Sequence, residues 1–195
     1  MTSPRRITIV RHAPVISDGC FYGRRDLPAR CDDPAAFLAL RQAFPAPQTV
    51  WLSPALRCMQ TAAAIWPDMD LTTARQDPDL WEQDFGAWEG LPYDALPDIG
   101  VKTGAELSDY RPKNGESFAD LYRRTIPVLE QLMDAGGGVI VAHAGTMRAA
   151  LSLVDGEIHA GLAYHVPNLS YVTIEAKEAG MTAYLGFGVE PAKGA

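Results

Sequence analysis

Long hydrophobic runs are missing from this chain: no segment approaches the roughly 20 apolar residues that a membrane helix requires. Cysteine is scarce. Cys20, Cys31 and Cys58 are odd in number and too widely spaced for a zinc pair, so they read as free thiols. Positive charge is in the minority, with 17 Lys and Arg against 24 Asp and Glu and a net charge of −7. That balance argues against a nucleic-acid backbone as partner. The opening MTSPRRITIV reaches a strand-like run within six residues and leaves no room for a secretory leader. A cytoplasmic protein without a membrane or nucleic-acid partner is therefore expected. Neither an internal repeat nor a linker is visible, and residues 1–195 read as one domain. A core of that size folds without disulfides or metal.

What is present alternates between two periodicities. Ile7 to Val10 is a short β-branched run that suits a buried strand, and Arg11 and His12 follow it at once. Residues 13–31 are rich in Gly, Pro and Asp and read as a long loop. Asp33-Pro34 supplies an N-cap and a first-turn proline for a helix that turns Phe37 and Leu40 inward. Thr49 to Leu52 is a second strand. Ser53-Pro54 repeats the cap-plus-proline signal and opens a helix to about Trp66, with Leu56, Met59, Ala63 and Trp66 as its apolar face.

Between Pro67 and Gly115 the periodicity is weak, and one strand near Leu71 and a small cap-like insertion near residues 90–115 are expected. Ser117 and Asp120 resemble a capping box for a helix with core positions Phe118, Leu121, Tyr122, Leu129, Leu132 and Met133. Pro127 should kink it. Val139 to Ala142 is a buried strand followed directly by His143. Gly145 to Val154 is a short helix, and strands near 170–175 and 182–187 complete the chain. This alternation implies an α/β fold with a mostly parallel sheet covered on both faces. Ligands of such sheets bind beyond the carboxyl ends of the strands, where Arg11, His12 and His143 fall.

The chemistry these residues suit is that of a phosphate. A phosphate monoester carries about two negative charges, so an acidic protein needs its cations concentrated locally to bind one. Arg5, Arg6, Arg11, Arg24, Arg25 and Arg30 crowd the start of the chain, and Arg57 lies in the first turns of the helix after Ser53-Pro54. Gly145 lets the chain after His143 approach a ligand closely. A histidine among such cations stays neutral, the form a nucleophile requires.

The segment ITIVRHAPV resembles the signature strand and Arg-His of the histidine phosphatase superfamily, also called phosphoglycerate mutase-like. WLSPALRCMQTA, LWEQDFGAWEG, NGESFADLYRR and VIVAHAGTMRA resemble the family's later motifs, in family order. The resemblance implies a three-layer α/β/α sandwich with His12 as the nucleophile that becomes phosphohistidine. It implies that Arg11, Arg57 and His143 hold the phosphoryl oxygens. Glu82 would protonate the leaving alcohol and then activate water, and no metal or other cofactor is implied. CFYGRRDLPA resembles the Tyr-Gly-x-x-Asp-(Leu/Val)-Pro loop of the α-ribazole phosphatase branch, which adds Tyr22 and Arg24 to the candidate substrate contacts, alongside Gly145. The partner implied is a small phosphorylated metabolite, with room for a homodimer. The pattern is broken where Ala13-Pro14 replaces the family's usual Gly after the histidine, and where Asp18 replaces Asn. A carboxylate at position 18 would repel phosphate if it faced the site.

Plainer readings stand beside these. Asp84 and Glu89 neighbour Glu82, and any of the three reads alternatively as solvated surface charge. Arg24 and Arg25 read equally as a solvated loop face, and Lys102, Arg111 and Lys113 of the cap either reach the site or do not. His159 and His165 read as ordinary loop residues, the four tryptophans as packing, and Cys58 as a small buried hydrophobe. Asp68-Met-Asp70-Leu71-Thr72 fits a metal-dependent aspartyl phosphatase pattern but follows a helix and Pro67, so it reads as a turn. Cysteine phosphatases need Cys-x5-Arg, and the positions six beyond the cysteines are Asp26, Phe37 and Ala64. Two alternatives to a phosphatase remain open, a cofactor-dependent phosphoglycerate mutase and a catalytically weak phospho-ligand binding or regulatory protein.

Overall fold

The computed structural model describes residues 5–45, 47–177 and 180–192. The first four positions, on which the reading of the chain's start partly rests, lie outside them. Among the described residues eight strands and five α-helices are formed: β1 (Arg5–Arg11), α1 (Pro34–Ala43), β2 (Val50–Leu52), α2 (Leu56–Ile65), β3 (Arg75–Gln76), α3 (Gly104–Asp109), α4 (Phe118–Asp134), β4 (Gly138–Ala142), α5 (Ala144–Asp155), β5 (Tyr164–His165), β6 (Tyr171–Lys177), β7 (Gly180–Leu185) and β8 (Glu190–Pro191). Six of the strands make one sheet in the order β3-β2-β4-β1-β6-β7, while β5 and β8 pair separately. From β3 to β1 the neighbours run parallel; β6 is antiparallel to both β1 and β7. The mostly parallel α/β sandwich expected from the sequence is the observed architecture.

Alternation along the strands builds a core on each face. Ile7, Ile9, Ile140, Ala142, Val172 and Ile174 face α4 and α5, with Leu121, Leu129, Leu132, Met147 and Leu151 packed against them. Val10, Val50, Leu52, Val139 and Val141 face the other way, onto Phe37, Leu40, Cys58, Ala62 and Ile65 of α1 and α2. Helix α4 starts at a reciprocal capping box between Ser117 and Asp120 and continues through Pro127. Helix α1 is capped by Asp33, whose side chain accepts from the Ala36 amide. No helix among the described residues is long and apolar enough to cross a membrane.

Four local expectations are corrected. Ser53 does not cap α2: the N-cap is Ala55, without a side-chain bond, and the Leu56 amide is taken by Asp26 Oδ1 at 2.8 Å. The inward face of α2 is Arg57, Cys58, Thr61, Ala62 and Ile65 rather than Leu56, Met59 and Ala63. An apolar-residue count mispredicts this face because two of its polar members, Arg57 and Thr61, are buried for the site. The strand placed near Leu71 lies at Arg75–Gln76, and Leu71–Thr73 forms a 3-10 turn capped by Asp70. That cap confirms the Asp68–Thr72 stretch as a turn. The short pair β5 and β8 had no periodic signal, and His165 stands in it rather than in a loop.

Leu129 is fully buried between α4 and the sheet. Leu129→Ala is expected to lower stability by about 3 kcal/mol. Urea denaturation should show this as a lower midpoint with an unchanged slope.

Candidate active site

The four parallel strands end together, and each delivers chain to the same edge. His12 follows β1, Ser53 follows β2, Asp77 follows β3 and His143 follows β4. The His12 amide donates to Ala142 O at 2.9 Å and the Ser53 amide to Val141 O at 3.1 Å, so the sheet's ladder sets their spacing. The rings of His12 and His143 meet edge to face, 5.2 Å apart between centroids. Both are buried, His12 at 1% exposure. Beyond β1 the chain is secured by the turn before β6, where Asn168 Nδ2 donates to His12 O at 2.8 Å and Leu169, at φ 59°, donates its amide to Arg11 O.

The tautomer of His12 follows from its partner. Nδ1 lies 2.7 Å from the Ala13 carbonyl, which can only accept, so the neutral ring carries its proton there and its lone pair on Nε2. Burial, then the charges of Arg57 and Arg11, hold His12 down to a pKa of about 3. His143 is likewise pushed well below the ordinary range, by burial first and Arg57 second. Its Nε2 is 2.8 Å from Ser53 Oγ, and the Trp81 ring lies parallel to its own. Cys58 Sγ approaches the same imidazole at 3.6 Å, with burial pushing the thiol up.

Arg57 is fully buried. Its Nη1 donates to Arg25 O at 2.9 Å and its Nη2 to Gly23 O at 2.6 Å, while Nε has no partner among the described residues. Arg11 repeats the pattern: Nη1 donates to Val166 O at 2.6 Å and the buried Nε is unpartnered. Tyr22 lies under the Arg57 guanidinium, 5.5 Å from it. Glu82 is half-buried, and its Oε1 accepts the Gly145 amide at 3.1 Å in the first turn of α5. A Cβ built on Gly145 falls on that oxygen and within 2.6 Å of Leu121 Cδ1, so the glycine makes room for Glu82 rather than for a ligand.

The arginines crowded at the start of the chain do not form one patch. Arg5 pairs with Asp134 and Arg6 with Glu175, both near the amino end of β1, and Arg30 pairs with Asp32. Arg24 turns toward Glu116 at 3.7 Å. Asp18 is engaged by Arg25 Nη2 at 2.9 Å, a bond that lowers its pKa to about 2. Arg111 pairs with Asp120. Lys102 lies over Tyr110 and lines a separate cleft of about 730 Å³ with His159, which also packs on Gly104. Lys113 is exposed, and its carbonyl accepts the Ala87 amide. Glu89 is no solvated acid, since it accepts three backbone amides.

Sequence reasoning missed Ser53 by reading it as a cap, Trp81 by reading it as packing, and Arg148 altogether. Arg148, one turn beyond Gly145 on α5, donates to Tyr164 O through Nε and Nη2, and the charges of Glu82 and Arg11 both act on it. Among the described residues no three His, Cys, Asp or Glu side chains come together as a metal-holding group.

The family model described as histidine phosphatase superfamily (branch 1) matches residues 7–185. The chain belongs to that superfamily. The chain is 30% identical over 107 residues to a 6-phosphofructo-2-kinase/fructose-2,6-bisphosphatase of Caenorhabditis elegans, covering 53% of this chain and 23% of the relative. It is 30% identical over 117 residues to fructose-2,6-bisphosphatase TIGAR B of Danio rerio, covering 58% and 44%. The aligned stretches thus span less than half the length of these curated relatives. The α-ribazole phosphatase of Shigella flexneri shares the fold, with a TM-score of 0.75 at 19% identity over 93% of this chain and 95% of that one.

Two expectations follow from the geometry. Gly145→Ala displaces the Glu82 carboxylate, and steady-state kinetics should show kcat falling about 100-fold. Folded His12 and His143 resist protonation, whereas in the unfolded chain they take up protons near the ordinary value of 6.5. The unfolded state therefore binds more protons as pH falls, and stability drops progressively from about pH 6.5 toward about pH 3. Urea midpoints across that window check the sign, and His12→Gln should flatten part of the slope.

Proposed function

We propose that this histidine phosphatase hydrolyses a small phosphate monoester through a phosphohistidine at His12, with α-ribazole phosphate as the first candidate substrate. One observation carries the reading. A buried imidazole with its lone pair on Nε2 sits between two arginines that each keep a buried, unpartnered Nε–H. An unsatisfied buried donor costs on the order of 1–3 kcal/mol, and two in one site fit an anionic ligand that accepts from both.

In the first step Nε2 attacks phosphorus, the ester P–O bond breaks, and Glu82 gives its proton to the leaving oxygen. Arg57, Arg11 and His143 stabilise the equatorial oxygens as charge spreads over them. In the second step Glu82 takes a proton from water, the oxygen attacks phosphorus, and the P–N bond breaks to return His12 and release phosphate. The amide of Gly145 and Arg124, which donates to Glu82 O at 3.1 Å, keep the proton donor in place for both steps. Support for the α-ribazole branch comes from the Tyr22–Pro28 loop.

The test is phosphate release from a panel holding α-ribazole phosphate, fructose 2,6-bisphosphate and 3-phosphoglycerate, with chelator present. Turnover should persist in chelator and fall at least about 1,000-fold in His12→Ala. Quenching turnover in alkaline detergent should trap a phosphoenzyme that is stable to base and lost in acid, and the variant should not form it. Release that survives His12→Ala would sink the mechanism. Phosphate exchange that depends on a bisphosphate primer would instead identify a mutase.

A further inference from the structure

Arg57 is held by two carbonyls of a surface loop, and a loop is a poor anchor unless something fixes it in turn. The loop is fixed from its opposite side. Glu89 Oε1 accepts the Arg24 amide at 2.8 Å, and Oε2 accepts the Arg25 amide at 2.7 Å. Oε1 also accepts the Phe85 amide at 3.1 Å, which ties the same carboxylate to the acidic segment that carries Glu82. Neither neighbouring arginine side chain is spent on Glu89: that of Arg24 turns to Glu116 and that of Arg25 to Asp18. The seat is tight. A Cβ on Gly23 would lie 2.9 Å from Glu89 Oε1 and 2.6 Å from Phe85 Cδ2, and it would overlap Gln83 O. The Gly23–Arg24 peptide gives its N–H to Glu89 and its carbonyl to Arg57, the next peptide gives its N–H to Glu89, and the one after gives its carbonyl to Arg57.

We infer that Glu89 is the positioning residue for Arg57, fixing through the Gly23–Arg25 backbone the two carbonyls that aim the guanidinium at the phosphoryl site. This rests on the assignment of Arg57 and His12 to that site. Glu89 touches neither, and its effect travels through three peptide units. A glutamine there keeps the size but has only one accepting oxygen, so at least one loop amide loses its partner. The loop carbonyls then drift and Arg57 moves away from the histidines. The charged and titratable neighbours of His12 are Arg57, Arg11 and His143. Loss of the Arg57 field alone raises the pH at which His12 protonates.

The experiment uses the full chain with Glu89→Gln and, as a control for stability, Glu175→Gln, which breaks a pair with Arg6 far from the site. Nitrogen-15 NMR follows the His12 ring through an acid titration, and calorimetry measures binding of inorganic phosphate. Glu89→Gln is expected to raise the His12 titration midpoint by about one pH unit and to weaken phosphate binding about tenfold. Glu175→Gln should change neither, whatever it does to Tm. Should Glu89→Gln fail to fold, Glu89→Asp keeps the charge but cannot span both loop amides, and the same two readouts should move by smaller amounts. A variant with a lowered Tm but wild-type His12 titration and phosphate affinity overturns the inference and leaves Glu89 a structural residue. Neither readout needs turnover, so an inactive wild type would sink the proposed function without deciding this point.

Discussion

A guanidinium fully withdrawn from water is the constraint on which the rest of this site depends. Burying such a charge is costly unless it is hydrogen-bonded, and the usual partner is a carboxylate. Arg57 is met by two neutral carbonyls instead. Carbonyl dipoles solvate the charge without cancelling it, so its field still reaches the two histidines and any anion placed beside them. An acid at Gly23 or Arg25 would have satisfied the burial and abolished that field. The low protonation range of His12 and the exclusion of Asp18 and Glu89 from direct contact with Arg57 are parts of one arrangement. The carboxylates nearest the loop are occupied, Asp18 by Arg25, Asp26 by the Leu56 amide and Glu89 by backbone.

The sheet supplies the precision that the loops lack. In the β1–β4 register Arg11 stands opposite Ala142, so His12 and His143 are the next residues on neighbouring strands. A slip of one residue would turn one of them away from the edge it now shares and would also expose the apolar set of the slipped strand. The same ladder that buries Ile7, Ile9 and Ile140 thus holds the two imidazoles at their separation. Stability and site geometry are read from the same hydrogen bonds.

How much of this was legible in the sequence depended on whether a residue's role was local. Strands that are apolar throughout, such as Val139 to Ala142, and helices with explicit caps, such as those at Asp33 and Ser117, stand out because their signals lie within a few residues. His12, His143, Arg11, Arg57 and Glu82 were legible because each sits beside such an element, and the structure brings all five to one sheet edge. What was hidden involves partners far apart in the chain. Ser53 looks like a cap until His143, 90 residues on, takes its hydroxyl. Glu89 looks like a solvated acid until two amides some 65 residues earlier fold onto it. Arg5 and Arg6 look like part of a cationic cluster, but β1 carries them to the opposite end of the sheet from His12. Proximity in sequence predicts proximity in space only where the chain turns back.

Helix α5 carries more of the candidate site than its single histidine suggests. His143 is its N-cap residue, the amide of Gly145 holds Glu82, and Arg148 stands one turn further along. These groups ride on one rigid rod, pinned by Leu121 on one side and by the packing of Arg148 and Ser152 against Gly161 on the other. The residues proposed as phosphoryl contact and proton donor therefore share a single mechanical degree of freedom. In the proposed mechanism a displacement of the rod detunes formation and breakdown of the phosphoenzyme together, so mutations along its buried face should act as a common dial on both half-reactions rather than as separate switches.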